Sequence, residues 1–243
     1  MATMDPEEIF SLTDCEMERT PAELLEWVKE KTRLLRSISG GDSQLLPRTG
    51  LARKFLDEMY PLSLLAKHLF GERLDVVCKP NLENDEFDAI VIDYRDPPLR
   101  VQKIEFVHAI LCYEEFLHRL YLQQKAPVFT FGKLGSKEKK SAYASDAAVP
   151  HVVLLNKGLE LLVKVARTKS GKAYGRDTSL VIVFDDYATF KARDDVAKLE
   201  QFINAEILPM DLDFERLFLL GWSGETILGY LLSGPDMRKA RSS

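Results

Sequence analysis

The sequence predicts an α/β domain built around one mixed β-sheet. Short β-rich runs alternate with amphipathic segments along the chain, which is typical of a sheet covered by helices. The run at Ser179–Phe184 (SLVIVF) is the most apolar of these strands and is predicted to be buried on both faces. Two further runs, Ala89–Tyr94 and Val101–Val107, flank Pro97 and Pro98 and predict a central hairpin.

Composition narrows the class of protein. Of 243 residues, 46% are hydrophobic and 29% charged, the balance of a soluble globular protein. No apolar run reaches the ~18 residues of a membrane span, so no membrane partner is expected. Three cysteines without metal-ligand spacing and an acidic N-terminus favour a cytoplasmic location. A net charge of −5 argues against a protein that coats duplex DNA. The same net charge is compatible with a local basic patch on the surface.

A helix-capping motif and a linker-like run divide the chain into three predicted segments. Thr20-Pro21-Ala22-Glu23 is a helix start with a capping Thr, a Pro in the first turn and a Glu three residues later. The helix is predicted to end near Ser37, before the linker-like run Ser39–Ser43. We therefore expect a helical appendage and linker over residues 1–45, an α/β domain over 46–232 and a disordered tail over 233–243.

The elements of the α/β domain follow in a definite order. Leu51–Phe70 is predicted to be helical, with a break at Tyr60 because Pro61 cannot continue the hydrogen-bond ladder. The remaining predicted elements are a strand at Arg73–Lys79, the central hairpin, helices at Ile110–Lys125 and His151–Ser170, the strand Ser179–Phe184, a helix at Asp194–Ile207 and a hairpin formed by Arg216–Trp222 and Thr226–Leu232.

Two carboxylates on the central hairpin are the main candidate site. Asp88 opens the first strand and Glu105 lies inside the second, where an apolar setting makes an uncompensated charge costly. In a suitable register they lie side by side, and Glu58 in the first predicted helix adds a third carboxylate. Such hard oxygen ligands suit Mg²⁺ or Mn²⁺. The alternative is structural: Asp88 caps a turn, and Glu58 and Glu105 pair with neighbouring cations.

The helix–strand–strand–strand–helix–strand order over residues 51–184, with Asp88 and Glu105 in place, resembles the αβββαβ core of the PD-(D/E)XK (restriction-endonuclease-like) nuclease superfamily. The family motif has a Pro before the Asp and a Lys two residues after the second acid. This chain has Phe87 and Val107 at those positions. The sequence also resembles a bacterial group that shares Tyr60-Pro61-Leu62, Asp88-Ala89 and Lys172-Ala173-Tyr174.

The resemblance implies a metal-dependent phosphodiester hydrolase whose Mg²⁺ or Mn²⁺ is held by Asp88 and Glu105, with DNA or RNA as partner. Because Val107 occupies the lysine position, we expect Lys103, on the same face as Glu105, or Lys172 to supply the catalytic ammonium group. Two alternatives remain: a catalytically silent relative that binds nucleic acid or a protein, and a structural interaction domain. The sequence lacks the common phosphate-loop, dinucleotide, zinc-protease and serine-hydrolase motifs.

Overall fold

The computed structural model describes residues 9–37, 50–82, 86–95, 99–110, 150–186, 189–190 and 192–232. The strands are β1 Val76–Pro80, β2 Ala89–Asp93, β3 Arg100–Ala109, β4 Thr178–Phe184, β5 Arg216–Gly221 and β6 Ile227–Leu231. The helices are α1 Leu12–Cys15, α2 Pro21–Ser37, α3 Gly50–Lys54, α4 Tyr60–Phe70, α5 His151–Lys169 and α6 Arg193–Phe202, with π-helical turns π1 Phe55–Met59 and π2 Ile203–Ile207. The predicted helix Ile110–Lys125, apart from its first residue, and the predicted tail lie outside the described residues.

The six strands form one mixed sheet in the order of the sequence. β1, β2 and β3 are antiparallel neighbours, β3, β4 and β5 are parallel, and β6 returns antiparallel to β5. The prediction that the first four strands share one mixed sheet is confirmed, and so is the final hairpin. The chain is therefore a mixed α/β protein whose sheet is flanked by helices.

β4 lies at the centre of the sheet, and every one of its seven residues is buried. Because side chains alternate along a strand, Val181 and Val183 join the apolar cluster under α4, while Leu180 and Ile182 join the one under α5. The burial predicted for this strand on both faces is confirmed. Helices therefore cover both faces of the sheet. The candidate site lies at the end of the sheet where β2 begins.

The N-terminal segment packs into the same core as the sheet. The Phe55 ring lies 4.9 Å from the ring centroid of Phe10 and 5.8 Å from that of Trp27. The backbone of Arg19 exchanges two hydrogen bonds with Cys78 and so pairs with the outer edge of β1. Residues that the sequence analysis assigned to an appendage thus contribute to the core of the α/β domain.

The helix around Pro61 differs from the prediction. No break occurs at Tyr60, since α3, π1 and α4 follow one another from Gly50 to Phe70. Pro61 lies in the first turn of α4, where its missing N–H is tolerated, and the wide π1 turn precedes it. None of the helices in the described ranges is long and apolar enough to cross a membrane.

Candidate functional site

Asp88 lies immediately before β2, and its side chain accepts a hydrogen bond from a backbone N–H of β3. The last pair of the β2–β3 ladder is Ala89 with Ile104. Beyond it, the Asp88 N–H donates to the Ile104 carbonyl at 2.9 Å, and the Phe106 N–H donates to Asp88 Oδ2 at 2.7 Å. The backbone N–H of Phe106 therefore holds the carboxylate against β3.

The pKa of the Asp88 carboxyl is raised to about 6, chiefly by burial and in smaller part by the charge of Glu105, against the lowering effect of the Phe106 N–H. Lys169 and Lys54 are close enough to lower this pKa, but more weakly. The charged form of Asp88 is therefore less favourable in this position than in water. Such a carboxylate is suited to a cation that binds beside it.

Glu105, on β3, is paired with Lys169, the last residue of α5. Lys169 Nζ lies 2.5 Å from Glu105 Oε1, and the two side chains are only 16% and 13% exposed. Burial lowers the pKa of Lys169, but the hydrogen bond to Glu105 and its charge together raise it above the usual value. The ammonium group therefore stays charged at neutral pH.

The end of α5 is anchored, which fixes the position of Lys169. Gly171 follows the helix with φ +71°, a conformation that favours glycine. Its N–H and the Ser170 hydroxyl both donate to the Asp211 carbonyl, at 3.0 and 3.1 Å. The lysine therefore projects from a rigid helix end toward β3.

Tyr174 contacts the same ammonium group. Lys169 Nζ donates to the Tyr174 hydroxyl oxygen at 3.2 Å, and the Tyr174 ring stacks on Phe214 with centroids 4.5 Å apart. The Thr178 hydroxyl donates to the Tyr174 carbonyl at 3.0 Å. Since an ammonium group only donates, the Tyr174 oxygen accepts, and its own hydrogen is available to another acceptor.

Glu58 lies on the π1 turn and adds the third carboxylate. Its side chain is 13% exposed, and Oε1 lies 3.5 Å from Lys54 Nζ. Oε2 is buried and has no hydrogen-bond partner among the described residues. Burial, and after it the charge of Asp88, raise the pKa of Glu58 to about 7. Asp88 is thus the shared neighbour of two other carboxylates.

The two lysines expected from the sequence lie elsewhere. Lys103 Nζ lies 3.1 Å from Asp177 Oδ2, and Lys172 is exposed on the loop after α5. The lysine beside Glu105 is Lys169, which the sequence analysis did not name. The sequence places Lys169 at the end of a predicted helix before Ser170 and Gly171, but that position does not indicate which strand the lysine contacts.

The donor set at this edge of the sheet is chemically suited to a small divalent cation. Glu58, Asp88 and Glu105 supply hard carboxylate oxygens, one of them buried without a hydrogen-bond partner. In the part of the chain that the structure describes, no three His, Cys, Asp or Glu side chains are close enough together to form a ligand cluster as they stand. The Glu105 oxygen nearest the lysine is already engaged, so a cation would use the other oxygens or replace the ammonium group.

Comparison with protein-family models, curated proteins and solved structures finds no match to this chain.

Proposed function

We propose that this protein is a metal-dependent phosphodiester hydrolase of the nuclease type, with DNA or RNA as substrate. The observation that carries the proposal is the largely buried Lys169–Glu105 ion pair, with Asp88 close enough for the charges of Glu105 and Lys169 to shift its pKa. An Asp at the start of one strand and a Glu in the next, with a lysine nearby, are also the set of groups that the resemblance to the PD-(D/E)XK superfamily implies. The β-meander followed by a parallel β4 supports a core of that kind.

Asp88, Glu105 and Glu58 would hold Mg²⁺ or Mn²⁺. When bound, such a metal activates water and neutralises phosphate charge. The raised pKa values of Asp88 and Glu58 support this role, because two carboxyls that ionise unfavourably gain most from a bound cation. The Phe106 N–H, which bonds Oδ2 of Asp88, leaves Oδ1 for the cation.

Lys169 would supply the positive charge that Val107 cannot. Its ammonium group reaches Glu105 from α5, so the charge arrives from a neighbouring element rather than from β3 itself. A lysine in this position would donate to a phosphoryl oxygen as negative charge develops there. Tyr174, stacked on Phe214, would keep the ammonium group in place and offer its hydroxyl hydrogen to the same anionic group.

A second candidate is a relative of the same fold that binds nucleic acid or a protein partner without cleaving. The observation that favours it is the Lys169–Glu105 bond, because a lysine that neutralises a buried carboxylate also serves a purely structural purpose. The two candidates differ in whether Lys169 leaves Glu105 for a substrate.

Calorimetric titration of Mn²⁺ into the full chain tests the proposal. Wild type, Asp88→Asn and Glu105→Gln are compared, with Glu160→Gln on the exposed surface of α5 as the matched control. Binding should weaken at least tenfold in the two site variants and stay unchanged in the control. Cleavage of single- and double-stranded DNA and RNA is assayed in parallel.

Equal Mn²⁺ binding in wild type, Asp88→Asn and Glu105→Gln would refute the metal site. Binding that depends on both residues, with no cleavage of any nucleic acid tested, would instead identify the silent relative. Cleavage by wild type that both site variants lose would establish the hydrolase.

A further inference from the structure

The carbonyl of Asp57 is the starting point. In a regular α-helix it would accept a hydrogen bond from the N–H four residues later, but that residue is Pro61, which has none. The hydrogen bonds of the wide π1 turn span five residues instead of four, since the Tyr60 N–H donates to the Phe55 carbonyl. The turn that carries Glu58 is therefore not stabilised by the full set of regular α-helical hydrogen bonds.

His108 supplies a hydrogen bond at this point. It lies on β3, three residues after Glu105, and its Nε2 is 2.9 Å from the Asp57 carbonyl oxygen. Since a carbonyl oxygen only accepts, Nε2 carries the proton and donates. The strand that bears Glu105 is thus bonded to the helical turn that bears Glu58.

The histidine is itself held in place by aromatic neighbours. Its ring lies 5.8 Å from the Trp222 ring, which lies 5.7 Å from the Tyr60 ring. The Tyr60 hydroxyl donates to the Trp222 carbonyl at 3.2 Å. The turn between β5 and β6 therefore contacts both the histidine and the residue that follows π1.

We propose that His108 is a positioning residue that holds the π1 turn through the Asp57 carbonyl and so keeps the Glu58 carboxylate beside Asp88. One extra residue in a helical turn rotates the preceding helix by about 100° relative to the following one. Relaxation of π1 to an α-turn would therefore move Glu58 away from the site. The consequence for metal binding rests on the proposed function, whereas the positioning itself does not.

Hydrogen–deuterium exchange tests the positioning without metal. In His108→Ala, amides of the peptide covering residues 54–62 should exchange at least tenfold faster, while those of β4 keep their rate. His108→Gln should restore most of the protection, because its amide N–H can reach the place of Nε2. His68→Ala, an exposed histidine of α4, is the matched control. An unchanged rate in His108→Ala, or an equal increase in β4, would overturn the proposal.

Mn²⁺ affinity in a double-mutant cycle tests the link to Glu58. His108→Ala should weaken Mn²⁺ binding about tenfold, as loss of a partner that orients a metal ligand commonly does. In a Glu58→Gln background the same change should add nothing, because the group that His108 positions is gone. Equal losses in both backgrounds would overturn the proposed route. If Glu58→Gln alone leaves Mn²⁺ affinity unchanged, Glu58 is not a ligand, and the exchange experiment alone decides whether His108 holds the turn.

Discussion

Replacement of Glu58 by Gln should stabilise the metal-free protein at alkaline pH. The Glu58 carboxyl has a pKa of about 7 in the folded state against an ordinary 4.5. Its ionisation in place therefore costs up to about 3 kcal/mol, at about 1.4 kcal/mol per pH unit. Because the side chain is partly exposed and Lys54 lies 3.5 Å away, we expect about 1–2 kcal/mol after screening.

The sign of the effect depends on pH. Below pH 4.5 the carboxyl is protonated in both the folded and the unfolded chain, so Glu58→Gln and wild type should have equal free energies of unfolding. As the pH rises from 4.5 through 7, wild type loses stability because the unfolded chain releases the Glu58 proton while the folded state still holds it, and the Gln variant has no such loss. Urea unfolding at pH 4 and pH 8.5 measures the difference directly.

Glu23→Gln is a control of opposite sign. Glu23 accepts hydrogen bonds from the Thr20 N–H and hydroxyl at 2.9 and 2.8 Å, and these bonds lower its pKa. Its loss should therefore destabilise the protein at pH 8.5, with an effect that fades in acid. If Glu58→Gln is no more stable than wild type at pH 8.5, the reasoning about its buried charge is wrong.

Two further substitutions test other parts of the structure. Lys169→Met should lower the free energy of unfolding at pH 8 by about 2 kcal/mol, because Glu105 loses its cation in a largely buried position. It should also abolish phosphodiester cleavage while Mn²⁺ binding survives in calorimetry, and retained cleavage would count against the role of Lys169. Gly221→Ala should cost about 2–3 kcal/mol in urea unfolding, because a Cβ there would lie 2.1 Å from Asp186 Oδ2. An unchanged stability would contradict that packing.

The positions of Asp88 and Glu105 were predictable because they depend on local rules. In the sequence, Pro97 and Pro98 between two β-rich runs predict a hairpin, and the pairing of the two strands then brings the start of one beside the middle of the other. These interactions lie close together in the sequence, so short-range signals were enough.

Lys169 was missed because its contact with Glu105 spans 64 residues. Nothing near Lys169 in the sequence specifies which strand the end of α5 meets. That depends on the parallel pairing of β3 with β4, whose register sets where the connecting helix ends. Strand alternation predicted Lys103 on the same face as Glu105, but its ammonium group pairs with Asp177 instead.

The π1 turn was not predicted, because it too depends on a contact between residues far apart in the sequence. A proline inside an apolar helical pattern ordinarily predicts a break. Here the carbonyl of Asp57, to which Pro61 cannot donate, is hydrogen-bonded by His108 on another element, and the helix continues. The linker-like Ser39–Ser43 likewise suggested a separate N-terminal appendage, whereas Phe10 and Trp27 pack around Phe55. Side-chain packing between distant segments decided both outcomes.

The burial of β4 on both faces has a consequence for the chain before it folds. Thr178–Phe184 is an uncharged, proline-free run of seven strand-forming residues, the composition of segments that self-associate into cross-β aggregates when exposed. Asp177 stands on one side of it, and Asp185 and Asp186 on the other. Charged residues in such flanking positions act as gatekeepers, because stacking identical segments would bring their like charges together. The nascent chain therefore carries a built-in safeguard against aggregation until β3 and β5 cover the strand.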